Sequence, residues 1–368
     1  MRINIFDNGL QRRTGHHFDF CRKLALAFRQ RGLAVEVYGA HGADAAIGEA
    51  LAADGSAFTP LFSRFAYAPV SAANNADLGA AFVGLAQDAS REMSQAAPAQ
   101  LNLFPTLKPL EFLAFSLAPL PGTTVGYVHN EPSNQNAASG EFWALASETL
   151  RSRGAHFRLG AIDPVVADFL GGYLEGLPVE TFPMPYDGPP RAAYRERAQT
   201  VGFFGSQREE RGMGLLAPLI EQLIAQGYEV ALHDTHGQFT NASGTPKLRI
   251  LDAFVDDLEA EIRACDIVVC PMLRENYMHR MSGIAAAAVA TGVPLILPAG
   301  TLAAARFHGL GSSRCYREHT PQGVLRAILK LAQDYPRHTA AAALAAQQWN
   351  IANGMGHFVD EILKHPAP

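Results

Sequence analysis

Short apolar runs alternate with helix-length amphipathic stretches along this chain, and that alternation restricts its fold more than any other feature. "RINIF" is followed by the loop "DNGLQRRTG", then by a stretch from His16 to Gln30 in which Phe20, Leu24 and Phe28 recur every fourth residue. That spacing puts the three rings and branches on one helix face. Gly32 closes the helix, and "AVEVYG" reads as the next strand. "QLNLF", "TTVGYV" and "AHFRLGAI" follow, each separated by helical patterns. Strands that alternate with helices imply βαβ units and a mostly parallel sheet, an α/β fold. One run, residues 46–82, is so rich in alanine and small residues that helices are expected there without clear ends.

The alternation breaks once. Residues 177–190, "LPVETFPMPYDGPP", hold five prolines and no continuous periodicity, which predicts an ordered linker. It then restarts with "TVGFFG", "YEVALHD", "LRILDAF", "DIVVCP" and "PLILP". Two Rossmann-like domains are therefore expected, residues 1–185 and 186–344, with a helical segment at about 345–366 packing back onto the first. Trp349 in that segment either bridges to the first domain or sits in a C-terminal core helix.

Composition narrows the function classes. Hydrophobic residues make up 48% and charged residues 18%, as in packed globular domains. A net charge of −5 provides no global basic field for nucleic acid. The start, "MRINIFDNGLQRRTGHH", lacks the apolar run of a signal peptide. The four cysteines form no CxxC pair, and Cys265 and Cys270 in "CDIVVC" read as buried thiols. Together these features favour the cytoplasm. Arg12, Arg13, Arg22, Lys23, Arg29 and Arg31 make the start locally basic. That pattern suits either a solvated helix face or peripheral membrane contact.

The second half concentrates the chemistry. In "CPMLRENYMHRMSGIAAAAVATGVPLILP", residues 270–298, a polar loop ends on Ser282-Gly283 before an alanine-rich helix. Serine caps a helix, glycine lets another group approach the backbone, and a helix start attracts anions. "VGFFGSQREERGMGLL" adds Gly205, Arg208 and Arg211 after a strand.

In order and type these segments resemble the donor domain of GT-B glycosyltransferases, particularly the large family 4. That family shows strand, glycine, a basic cluster ending in Lys-Gly and a helix; here Arg211 stands in place of the lysine. "LRILDAFVDDLEAEIRACDIVV" and "IVVCPMLRENYMHRMSGIAAAAVATGVPLIL" also follow the family order, and "ETFPMPYDG" resembles its interdomain crossing. The likeness covers roughly residues 199–300, and the first domain by architecture only. The family carries two glutamates eight positions apart; Ala287 occupies the second position, so the pair is incomplete.

The resemblance implies a GT-B arrangement, two Rossmann-like domains facing across a cleft, that moves a sugar from a nucleotide-sugar to an acceptor hydroxyl. It implies retention of configuration, no metal and no separate cofactor, with a sugar, lipid-linked or protein acceptor in glycan or glycoconjugate biosynthesis. On the donor side Gly205, Arg208, Arg211, Ser282, Gly283 and Arg280 would meet the diphosphate. Glu275, with Tyr277 and His279, would grip the sugar. Phe254 either packs on the base or joins the core. In "VGYVHNEP", His129 is the catalytic candidate implied for the acceptor side; Glu131 is an alternative base, and Gly15 and His16 would line the same side. "LHDTHG" has two histidines and an aspartate, but a strand end does not aim alternate side chains at one ion without a bend. Three alternatives remain open: an inverting reaction with His129 or Glu131 as base, a non-catalytic relative that binds a nucleotide-sugar or glycan, and a sugar-nucleotide epimerase.

Overall fold

The computed structural model describes residues 1–13, 16–66, 68, 75–130, 139–154, 157–239 and 246–364. The chain forms two compact units, residues 1–183 with 358–368, and residues 184–357.

The first unit holds strands β1 (Arg2–Phe6), β2 (Ala34–Ala40), β3 (Ala57–Phe62), β4 (Leu101–Phe104), β5 (Thr123–Val128), β6 (Phe157–Ala161) and β7 (Val179–Thr181). They form one sheet in the order β3-β2-β1-β4-β5-β6-β7, and every pair is parallel. Helices cover the strands, so central strands such as β4 and β5 are buried throughout, with Asn102, Thr123 and Thr124 enclosed among their apolar residues. The helix His16–Gln30 turns Phe20, Leu24 and Phe28 inward as its spacing predicts. The chain returns late to this unit: Phe358 packs against Phe20, Tyr127 and Phe182.

The second unit repeats the plan with β8 (Thr200–Phe203), β9 (Glu229–His233), β10 (Leu248–Leu251), β11 (Ile267–Val269), β12 (Leu295–Pro298) and β13 (Ser313–Tyr316). Their order is β10-β9-β8-β11-β12-β13, again all parallel. Its core joins Val201, Phe203, Leu219, Leu232, Ile267, Ile296 and Ile328. The helix Tyr335–Asn353 stays with this unit. There Trp349 packs on Phe307 and donates its indole N–H to the Tyr186 carbonyl at 2.7 Å.

Three strands depart from the sequence reading, and all are sheet edges. β3 lies in the alanine-rich run where only helices were expected, and it contains Pro60. A proline amide, which donates nothing, is tolerated there because β3 pairs on one side only. β7 occupies three residues of the expected linker. β13, "SRCY", is too short and polar to announce itself.

Candidate functional site

In a doubly wound parallel sheet, ligands bind beyond the carboxyl ends of the strands where the strand order reverses. That point lies between β8 and β11 in the second unit and between β1 and β4 in the first.

In the second unit the loops after β8 and β11 meet. Leu273 N–H donates to the Glu210 carbonyl at 2.9 Å. Gly212, at φ 75°, lies so close to the Pro271 carbonyl that a Cβ would come within 1.8 Å of that oxygen. Between the loops sits a cavity of about 20 Å³, on the order of one water, lined among others by Gln207, Arg211, Cys270, Tyr277, Ser282 and Ile284. Ser282 caps the helix Gly283–Thr291, its Oγ accepting the Ala285 N–H at 3.3 Å. Two polar groups in this wall, Arg211 Nε and the Tyr277 hydroxyl, are buried without a hydrogen-bond partner among the described residues. Burial pushes the Cys270 thiol up to about 12, so it presents a neutral S–H to the cavity. Gln207 props the loop, donating to the carbonyls of Gly205 and His233, both at 3.0 Å.

The expected donor residues divide accordingly. Arg211, Tyr277 and Ser282 line the cavity. Gly205, at φ 89°, lies against the Arg211 guanidinium, and Gly283 opens the helix. Arg280 lies over the Tyr277 ring, 5.0 Å from its centroid. Arg208 is instead paired with Glu210 at 3.0 Å and is 44% exposed, outside the cavity wall. Glu275 is exposed on the short helix Arg274–Tyr277, His279 is half-buried, and Phe254 is exposed at 38%; none of the three lines the cavity. Ala287 is buried, so the helix offers no carboxylate at that position. The "LHDTHG" residues diverge. His233 Nε2 meets the Ala253 carbonyl at 3.2 Å, Asp234 accepts the Phe239 N–H at 2.7 Å, and His236 meets Ser206 Oγ at 3.2 Å. Among the described residues, no group of three or more such side chains could hold a metal.

In the first unit the reversal point is a buried polar cluster. Asp7, directly after β1, takes the His17 Nδ1 at 2.8 Å and the Gly9 N–H at 2.8 Å. Burial, the largest single influence, would push the Asp7 carboxyl up; the His17 imidazole, by charge and hydrogen bond, together with His16 and the Gly9 N–H, holds it low. Asn8 donates to Glu111, whose second oxygen is buried without a hydrogen-bond partner among the described residues and whose carboxyl burial pushes up. Lys108, lowered by burial, faces both Glu111 and Asp7. His129 Nε2–H donates to the Pro105 carbonyl at 2.8 Å, and burial lowers its pKa to about 4. His16 packs against His17 with ring centroids 4.0 Å apart, and its ring lies 6.3 Å from that of His129. Gly15 and Glu131 lie outside the described residues.

The cluster thus assembles His16 and His129 and adds Asp7, Asn8, His17, Lys108 and Glu111, which motif reading missed. Asp7 and His17 are ten residues apart in the loop already singled out. A carboxylate at a strand end with a histidine in the next helix turn is the signal that would have found them. Of the basic residues near the start, Arg22 is paired with Asp54, Lys23 with Asp19 and Arg31 with Asp360. Pairing leaves the helix with less free positive charge than the sequence suggests. No described helix is long and apolar enough to cross a membrane.

No family profile matches the sequence, and no curated protein matches it. Solved structures do. Sucrose-phosphate synthase from Thermosynechococcus elongatus superposes with a TM-score of 0.68 at 11% identity, covering 98% of this chain and 97% of that one. A glycosyltransferase from Rickettsia africae gives 0.67 at 11% identity, covering 99% and 98%. HepE from Anabaena, solved in complex with UDP-glucose, gives 0.64 at 14% identity, covering 98% of each chain. The chain has the two-unit α/β architecture of GT-B glycosyltransferases.

Proposed function

We propose that this chain is a glycosyltransferase that moves a sugar from a nucleotide-sugar to an acceptor hydroxyl. The observation that carries the reading is the joined pair of loops at the second sheet's reversal point, where Arg211 and the capped helix start at Ser282 share one cavity. In sugar transfer the bond between the anomeric carbon and the diphosphate breaks while a bond to the acceptor oxygen forms. Negative charge grows on the leaving diphosphate, and a guanidinium with a helix N-terminus stabilises that charge. The same groups do the electrostatic work a divalent ion does elsewhere, so no metal or separate cofactor is invoked. HepE, of the same fold, was solved with UDP-glucose, which supports a nucleotide-sugar as the donor.

Stereochemistry follows from the face of the anomeric carbon that the acceptor oxygen attacks, and each face needs its own proton acceptor. The family 4 likeness implies retention, with the leaving phosphate taking the proton. The Asp7–His17 pair favours a second route, inversion with His17 as base, because a carboxylate fixes the ring and stabilises the imidazolium that forms. NMR of the product anomer separates the two. A retained centre with full activity in His17→Asn rules out His17 as base.

The buried Ala287 favours another reading, a non-catalytic relative that binds a nucleotide-sugar without turning it over. The deciding experiment is a thermal-shift and turnover screen against UDP-, GDP-, dTDP- and CDP-linked sugars. A selective ligand at a hundred times its Kd stabilises the native state by about 2.7 kcal/mol. Stabilisation with release of nucleotide supports transfer, and stabilisation without it supports the binder. No stabilisation by any of them removes the donor-site reading.

A further inference from the structure

Residues 184–190 bring Tyr186 to the start of the helix Gly283–Thr291, within the second unit. A Cβ built on Gly283 would lie 2.5 Å from the Tyr186 hydroxyl oxygen, so the phenol rests against the glycine's Cα. The segment is held there from the helix Tyr335–Asn353 and the residues after it. Trp349 Nε1–H donates to the Tyr186 carbonyl at 2.7 Å, Asn353 Oδ1 accepts the Met184 N–H at 3.0 Å, and Asp187 accepts the Met355 N–H at 2.7 Å. These bonds hold the backbone at Tyr186 and on both sides of it, and so limit where its phenol can lie.

The place it is fixed is a helix start prepared for an anion. Ser282 takes the Ala285 N–H, which leaves the N–H groups of Gly283 and Ile284 for an outside acceptor. Beside them the Tyr277 hydroxyl, on a side chain only 2% exposed, has no hydrogen-bond partner among the described residues, in a cavity that Arg211 also lines. A buried donor of this kind calls for an acceptor, which a phosphate oxygen supplies as well as a water does.

We propose that Tyr186 is a phosphate ligand: its O–H donates to the terminal phosphate of a nucleoside diphosphate seated on this helix start. The assignment rests on the donor-site reading above and adds a residue from outside its two loops. Trp349 is a positioning residue, acting through the Tyr186 carbonyl. Gly283 is then required twice, for backbone approach to the phosphate and for room beside the phenol.

The test is calorimetric titration of wild type, Tyr186→Phe and Trp349→Phe with UDP, GDP, dTDP and CDP, and with the monophosphate matching whichever binds. Tyr186→Phe, which keeps the ring and its packing, is expected to melt with the wild type. It should bind that diphosphate roughly ten- to a hundredfold more weakly, as for a lost hydrogen bond to a charged group, with monophosphate affinity unchanged. Trp349→Phe should show a smaller loss in the same direction. Equal diphosphate affinity in wild type and Tyr186→Phe overturns the assignment while leaving the donor site standing. An equal loss for mono- and diphosphate overturns it too, by placing the contact elsewhere. If wild type binds none of the four, the donor-site reading falls and takes the assignment with it.

Discussion

Asp266 has no exposed surface, and five donors converge on it. Arg191 reaches it at 2.8 Å, Arg195 at 3.2 Å, the backbone N–H groups of Gln199 and Thr200 at 2.9 and 3.0 Å, and the Tyr335 hydroxyl at 3.2 Å. One carboxylate thereby ties the chain entering the second unit to the end of its sheet and to its last long helix. Asp266→Asn removes the charge while Arg191 stays largely buried, and breaking a buried pair in this way costs roughly 3–5 kcal/mol. Urea unfolding should show a loss of that size; a loss below about 1 kcal/mol would mean that solvent already screens the pair. His129 yields a pH prediction. Its pKa of about 4 in the folded chain lies below the unfolded value, so the unfolded state takes up the proton first as pH falls. Stability is therefore full above about pH 6.5 and declines as pH falls toward 4. Partial exposure of the ring keeps the effect below about 3 kcal/mol. In His129→Gln the slope of stability against pH across that window should flatten.

The elements that matter most for the site are two loops rather than any strand or helix. Gly212 takes a left-handed conformation, and its Cα lies against a carbonyl of the other loop, so a methyl group there meets both strain and backbone. Gly212→Ala should cost more than about 2 kcal/mol and move Arg211, the preceding residue, weakening diphosphate binding along with stability. Ser282→Ala is a gentler change. It removes a cap worth about 1 kcal/mol and frees one more N–H at the anion site. Diphosphate affinity should therefore change by less than stability implies; urea unfolding and calorimetry on one preparation separate the two.

At the scale of the molecule, the first unit is completed by a late segment of the chain that begins at Phe358. Phe358 is fully buried among Phe20, Tyr127 and Phe182, while Arg158 reaches the carbonyls of Glu361 and Ile362 at 3.3 Å. Phe358→Ala should destabilise the first unit by about 3–5 kcal/mol, the range for a large-to-small change in a core. Hydrogen exchange locates the damage. Faster exchange in β5 and the helix His16–Gln30, with β8 and β11 unchanged, is the expected pattern; uniform loss across both sheets would show that the units unfold as one.

Central strands such as β11 and β12 were legible in the sequence because strands buried on both faces favour apolar runs. The helix His16–Gln30 was legible because its core face repeats every fourth residue. β3, β7 and β13 were not, since an edge strand pairs on one side and its composition is free to include proline or polar residues. The same division holds at the site. Arg211, Ser282 and Gly283 announced themselves by local order along the chain, a matter of turn and cap chemistry within a few residues. Asp7 with His17, Asn8 with Glu111, and Tyr186 against Gly283 did not. The sequence by itself determined two rounds of strand and helix and a serine-capped helix start, because backbone periodicity and capping act over short distances. Only the tertiary structure decided which side chains gather where the strand order reverses, because winding the sheet outward from its centre brings together residues as far apart as Tyr186 and Gly283.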